Sequence, residues 1–460
     1  MAAFLPVGRP GLVVRSLGGA LLLLCSCAIV ARPVAAAVRV GPEHVFPGRD
    51  VGSCDIAVHP ATGQPHVVWE TKDGHIRHCA FDGTRWGEAE QIPGPEQVGA
   101  RHDRFRNGAV TTAIDEAGRL HVVYTTVGPP NGLYHIQQVK AGGPWSKPVQ
   151  IHDGKRAELT WVQMAGGRGG ELFVTFEQGF RAFRCERGGG KWRKAVPLIG
   201  MTSHCHYVAV GPDGVPRIVF KAKRPEGYEA YVALRRRGGW KAQQITRDGG
   251  HVDSPSGAID AKGQLHVLWN RCDEEGHAAE LKYGVFSGSV MRGAVIAKSN
   301  AHSFCRLVID ADGAFYAFMP RRYPPKFVVR EPGSRQWSDP IAFGEPRQGY
   351  WFFEAAAHGK DVHVVYSNWY GVDRRKPVTY RKISRAKGRG PEARRQGAGL
   401  RPVPTTPAGS SMATSTSPCR ATVCGCSSPT PTWTPSSTMS TRPGGERRAT
   451  ARRSSQAATG

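Results

Sequence analysis

The sequence predicts an all-β fold, a seven-bladed β-propeller of four-stranded antiparallel blades closed by its N-terminal strand. Three observations predict it. A single unit is written seven times between Cys54 and Tyr380 at a period of roughly 45 to 50 residues, and a strand-built repeat of that length means propeller blades. The units open alike: ATGQPHVVW (61–69), EAGRLHVVY (116–124), RGGELFVTF (168–176), PDGVPRIVF (212–220), AKGQLHVLW (261–269), ADGAFYAFM (311–319) and GKDVHVVYS (359–367). Five of them close on a glycine turn and a tryptophan, with Trp86, Trp145, Trp192, Trp240 and Trp337 at matching places.

Within a unit, the apolar run after the glycine loop reads as a strand leaving a tight hairpin. The alternating stretch that follows, as in HIRHCAFDGTRW or YEAYVALRRRGGW, reads as a third strand turning into a fourth. Glycines supply the positive φ that such hairpins need. No blade can bury both faces of its own sheet, so stability must come from stacking each blade on its neighbours. The turn tryptophans are therefore expected to pack, and His66, His121, His266 and His363, which head strands in register, are expected to be structural. Blade seven has strands near 351–357, 361–366 and 377–383 but no glycine-tryptophan strand after them. The stretch VRVGPEHVF (38–46) precedes blade one, has strand character, and is expected to supply the missing outer strand.

Outside the repeats the composition changes. Residues 1–37 combine Arg9 and Arg15, the apolar run LGGALLLLCSCAIVA and the small-residue stretch RPVAAA, the pattern of an export signal cut near Ala37. The alternative is a lipobox at LCSC with Cys27 acylated. Residues 385–460 are rich in Arg, Pro, Ser, Thr and Gly without apolar periodicity, which predicts a disordered basic tail, or codons read out of frame, and no function is assigned to it. Tail and leader account for about half of the formal charge of +25, and the propeller retains the rest. A basic exported domain suits an acidic partner such as an anionic polysaccharide. Nucleic acid is not expected, since no recognition helix or RNA-binding motif is present. Nor is a transmembrane span, and the chain is expected to act as a monomer. Cys54, Cys79, Cys185, Cys205, Cys272 and Cys305 could pair in an oxidising compartment or stay as buried thiols, and the sequence leaves both open.

In a propeller the inter-blade loops and the loops between second and third strands share one face at the central channel. Read as one set, those loops supply substrate-binding candidates: Lys223, Arg224, Tyr228, Arg106, Asn107, Trp161, Arg271, Arg321, Arg322, Trp351 and Trp369. Cations neutralise carboxylates, and aromatic rings offer platforms for pyranose faces. The proton next to a uronate carboxylate becomes removable once that carboxylate is neutralised, which assigns charge to Lys223 or Arg224 and proton transfer to Tyr207 or His206. His204, His206 and Cys305 are candidates for a structural zinc, although their spacing fits no standard motif. No cofactor is expected, with a structural zinc or calcium ion left open.

The unit in which a small or acidic residue and glycine precede HVVW or HVVY, followed by a glycine turn and tryptophan, resembles the bacterial-neuraminidase-repeat, sialidase-like superfamily across about residues 50–383. Its Asp-box is approached by FDGTRW (81–86). Sialidase activity is not implied, because there are seven units and no Arg-Ile-Pro. The seven-bladed members include polysaccharide lyases acting on ulvan-like uronates with His, Tyr and Arg. Tyr207 opens blade four and Lys223 ends its second strand, a placement similar to the Tyr and Arg of those lyases with Lys for Arg. Their His position falls at Arg106, beside Asn107. The resemblance implies a secreted or periplasmic carbohydrate-active propeller that binds or cleaves an acidic polysaccharide, the alternative being a non-catalytic scaffold for glycan or protein.

Overall fold

The computed structural model describes residues 38–386 apart from 49–51, 72–73, 95–108, 127–130, 155–158, 238, 275–276, 299–303, 320–323, 345–351, 368–376 and the side chains of Cys205 and Ala278. The leader with Cys27 and the tail from 387 onward lie outside the described residues.

Seven antiparallel sheets form the ring. Blade one runs outward from Cys54–Val58 through Pro65–Glu70 and Ile76–Ala80 to Glu90–Ile92. The inner strands of the next six blades are Val110–Ile114, Leu159–Gly166, Ser203–Val210, Val252–Ile259, Arg306–Ile309 and Phe352–His358. Each inner strand packs beside the next, and that of blade seven packs back on that of blade one, so the ring is closed. The 3-10 turn Arg168–Gly170 is the one helical element among the described residues.

Closure follows the expected route. Val38–Val40 pairs with Thr379–Arg385 in the register Val38 to Arg385, Arg39 to Ser384 and Val40 to Ile383, and His44–Val45 continues along the same strand. Gly41 and Phe46 donate backbone hydrogen bonds to Lys382 and Val378. Glu43 takes the Arg381 guanidinium at 2.6 Å and the Tyr366 hydroxyl at 3.0 Å. Phe46, 1% exposed, then enters the core between blades seven and one.

The apolar side chains fall into seven clusters, each between two neighbouring blades, as expected of sheets that cannot be buried singly. Trp69 and Trp269 are fully buried on second strands, whereas the turn tryptophans are half-buried at the blade seams. The register histidines explain those tryptophans. His66 bonds His78, whose ring meets the edge of Trp145 of the next blade. His121 bonds His135, which meets Trp192. His266 bonds the Tyr283 hydroxyl at 2.6 Å, and Tyr283 meets Trp337. His363 bonds Tyr380, which meets Trp86. One design thus recurs at four seams: a second-strand histidine, a third-strand histidine or tyrosine, and the tryptophan of the following blade. Blade three substitutes ions, with Trp240 donating to Glu186 and Arg184 lying over its ring at 5.0 Å.

These imidazoles make the ring sensitive to acid. Burial lowers His66 and His135 to about 3 and His363 to about 4. They are neutral in the folded protein and protonate first in the unfolded chain, so stability is full above about pH 6.5 and falls with pH toward the folded values. Asp55, raised by burial and Glu354 to about 7, acts in the opposite sense, but as one group against these three imidazoles and the likewise lowered His121, His206 and His266. The melting temperature should therefore drop by several degrees between about pH 7 and pH 4.5. A flat calorimetric profile over that window contradicts this account.

Candidate functional site

Inner strands run from the inter-blade loops toward the hairpins, so position along a strand gives depth in the channel. Nearest the loop face, Trp161 of blade three meets Phe304, just before the inner strand of blade six, with ring centroids 4.6 Å apart. These two come from opposite sides of the ring and cap the channel. Trp161 has φ of 56°, a strained value for a non-glycine residue, and sits where the pairing register shifts between Thr160 and Gln163. Similar shifts occur between His204 and Tyr207 and between Asp253 and Ser256. Bulges re-aim side chains next to functional sites, and here three successive inner strands carry one.

Below the cap lies a polar layer. Glu354 receives the Arg306 guanidinium on both oxygens and the Gln163 amide at 3.1 Å. Arg306 stands 4.8 Å over the Tyr207 ring. Asp55 accepts from the Thr111 hydroxyl at 2.8 Å and the Thr112 amide at 2.7 Å. Burial would lower the Arg306 pKa, but Glu354 outweighs it and the guanidinium stays charged. Burial and Glu354 push the Tyr207 phenol up to about 12. Tyr207 thus faces the channel. His206 is 3% exposed with no hydrogen-bond partner on either ring nitrogen, and burial first, then His204 and Arg306, lower it to about 3.

The rim of the loop face over blades three to five gathers a different set. His204 Nδ1 lies 3.0 Å from Glu177 Oε2, a contact without hydrogen-bond alignment that becomes an ion pair when the imidazole is protonated. Phe180 and Tyr228 meet its ring edge-on at 5.6 and 5.7 Å. Phe180 is 69% exposed with φ of 61°. The Lys221 ammonium bonds Asp253 and stands 5.0 Å over Tyr228. Lys223 and Arg224 are exposed at the end of Pro216–Arg224, and Arg271 reaches Glu280 at 3.4 Å. The backbone holds Tyr228 in place through an approach that only glycine allows. Gly227 has φ of 128°, and a Cβ there would lie 2.2 Å from the Gly250 carbonyl that accepts from the Tyr228 amide. Buried Glu229 fastens the same loop by accepting from Thr246, Asp248 and Gly250.

Of the candidates read from the sequence, the fold brings Lys223, Arg224, Tyr228 and His204 to one rim with Arg271 beside it. It does not bring Tyr207 to them: Tyr207 pairs with Val219, four residues short of Lys223 on the next strand, and turns into the channel. Trp161 lies in the cap. Arg106, Asn107, Arg321, Arg322, Trp351 and Trp369 lie outside the described residues. The Cys305 thiol donates to the Ser254 carbonyl, away from His204, and among the described residues no group of three His, Cys, Asp or Glu is arranged to hold a metal. Cys54, Cys79, Cys185, Cys272 and Cys305 are buried free thiols. Asp82 of the FDGTRW turn serves that turn, accepting from Thr84 and Arg85. Sequence reasoning missed Phe180, Phe304, Gln163 and Arg306, and it did not couple Glu177 to His204.

No protein-family model matches the sequence and no curated protein matches it at a significant level, so the sialidase-like resemblance rests on the repeat pattern. Among solved structures, the chain is similar to a polysaccharide lyase described as an ulvan lyase of a new family, with a TM-score of 0.52, 12% identity and coverage of 73% of this chain and 95% of that one. An ulvan lyase bound to a glucuronic acid and sulfated rhamnose oligosaccharide gives a TM-score of 0.51, 11% identity and coverage of 73% and 95%. At this identity the likeness is one of fold. Among the described residues no helix is long and apolar enough to cross a membrane.

Proposed function

We propose that this chain is a secreted, carbohydrate-active propeller whose loop-face rim over blades three to five takes an acidic polysaccharide. The observation that carries the reading is the rim itself. Lys223 and Arg224 stand exposed and engaged by no described side chain, beside the aromatic surfaces of Phe180 and Tyr228. Cations of this kind recognise carboxylate or sulfate, and the rings supply apolar platforms for sugar faces. The ulvan lyase likeness agrees with this reading at the level of fold.

A cleaving version is favoured by one further observation, the His204 imidazole held edge-on against the Tyr228 ring with the Glu177 carboxylate 3.0 Å from its Nδ1. With a uronate carboxylate neutralised by Lys223 or Arg224, the imidazole would take the neighbouring ring proton and a phenol would protonate the leaving oxygen.

A glycan array followed by ultraviolet absorbance of unsaturated uronates tests both versions. Wild-type protein should retain acidic glycans, and Lys223→Ala with Arg224→Ala should weaken retention at least about tenfold, since charge-assisted hydrogen bonds contribute about 1.5–3 kcal/mol each. Product that disappears in His204→Gln while binding persists selects cleavage, and binding without product selects the lectin-like version. Tyr207→Phe should leave retention unchanged, because Tyr207 lies beneath the channel cap. Absence of binding to every acidic glycan overturns the proposal.

A further inference from the structure

The central channel holds a cavity of about 340 Å³ that the polysaccharide rim does not use. Its roof is the polar layer of Asp55, Gln163, Tyr207 and Glu354. Its walls descend along the inner strands through Ala165, Ala209, Ala258 and Ile309, toward the hairpin face opposite the rim. The wall side chains are small, with the polar backbone of the inner strands exposed between them, and the ionisable side chains are gathered at the roof.

The donors and acceptors left at the roof are unequal. Glu354 has three of its four lone-pair sites filled, by Arg306 twice and by Gln163. Asp55 also has three filled, by the Ile56 and Thr112 amides and the Thr111 hydroxyl. The amide of Gln163 donates to Glu354 and its carbonyl oxygen receives no described bond, while the Tyr207 hydroxyl has no described partner. Gln163 keeps one amide hydrogen, and Arg306, whose remaining N–H groups lie off the cavity lining, holds its place behind Glu354; on the lining itself the spare oxygens of Asp55, Glu354 and Gln163 outnumber the donors. Two carboxylates also face one guanidinium, so the roof carries an excess negative charge whenever Asp55 is ionised.

We propose that this cavity is a second binding site, for a small organic ammonium ion whose N–H groups meet the Asp55, Glu354 and Gln163 oxygens and whose hydrocarbon part lies along the alanine walls. A donor-rich cation satisfies the spare acceptors and offsets the repulsion between the two carboxylates. A free anion meets Glu354 before it meets Arg306, and a neutral alcohol leaves the charge uncompensated. Burial and Glu354 raise the Asp55 carboxyl to about 7, with Arg306 and Tyr207 the other titratable groups at this roof, so the cation should bind more tightly as Asp55 ionises. This site is independent of the polysaccharide rim.

The test is isothermal titration of the full chain with n-butylammonium chloride, with n-butanol as the neutral counterpart and sodium chloride at matched ionic strength. The expected result is saturable binding of n-butylammonium in the millimolar to micromolar range, none of n-butanol, and tightening from about pH 6 to pH 8. Asp55→Asn should weaken it about tenfold or more. Ala209→Leu, which fills the channel wall without touching the roof, should abolish it while the circular dichroism stays unchanged, and it decides the matter if Asp55→Asn fails to fold. Lys223→Ala with Arg224→Ala should bind n-butylammonium as wild type does. No saturable heat, equal binding of n-butanol, or undiminished binding by Ala209→Leu overturns the proposal.

Discussion

Deleting residues 38–46 should abolish the closed ring. The deletion removes both strand segments paired to Thr379–Arg385, strips Arg381 of Glu43, and takes Phe46 out of the core between blades seven and one. Loss of a buried phenylalanine alone costs about 3–5 kcal/mol, and whole domains are stable by about 5–15. The exposed edge of blade seven would then invite pairing between chains. Size-exclusion chromatography and circular dichroism should show aggregated or unfolded protein. Deleting 387–460 should leave the melting temperature within a few degrees of wild type. Equal behaviour of the two deletions would show that the ring closes without its N-terminal strand.

The second large effect is expected at the channel's ion pair. Arg306 and Glu354 have side chains 12% and 11% exposed, so removing one partner strands a charge away from water. Arg306→Met should cost about 3–5 kcal/mol in urea unfolding, because Glu354 would keep only Gln163 and would face Asp55 uncompensated. Adding Glu354→Met should recover much of that loss, since a buried pair replaced whole by apolar side chains is often neutral. If the double variant is as unstable as the sum of the two singles, the pair is not energetically coupled and the polar layer holds the ring in some other way.

Reading the site from the sequence failed where contacts are long-range. Gln163 and Glu354 are 191 residues apart and meet across the channel, and nothing local in either strand announces the partner. Arg306 opens an inner strand with no local sign of a partner, and its role appears only once blades four, six and seven are placed around it. Tyr207 and His206 show a second cause: strand alternation predicts facing only while the register is regular, and the bulge between His204 and Tyr207 reorients both. The register histidines were legible as structural, but their third-strand partners and the tryptophan of the following blade became a unit only in the folded ring. The shared face of Lys223, Arg224 and Tyr228 was legible because their hairpin end fixes which face they occupy, and their binding role is the proposal made above.

The sequence alone determined the strand content, the number of blades and the closure of the ring by residues 38–46. These follow from local alternation, turn glycines and a repeat in which each blade needs its neighbour, information carried by adjacent residues. Only the tertiary structure decided which side chains meet at the channel: the Trp161 and Phe304 cap, the Asp55, Arg306 and Glu354 layer, and the separation of Tyr207 from the Lys223 rim. Those depend on bulges that re-aim single residues and on pairs drawn from different blades, which periodicity within one blade does not encode.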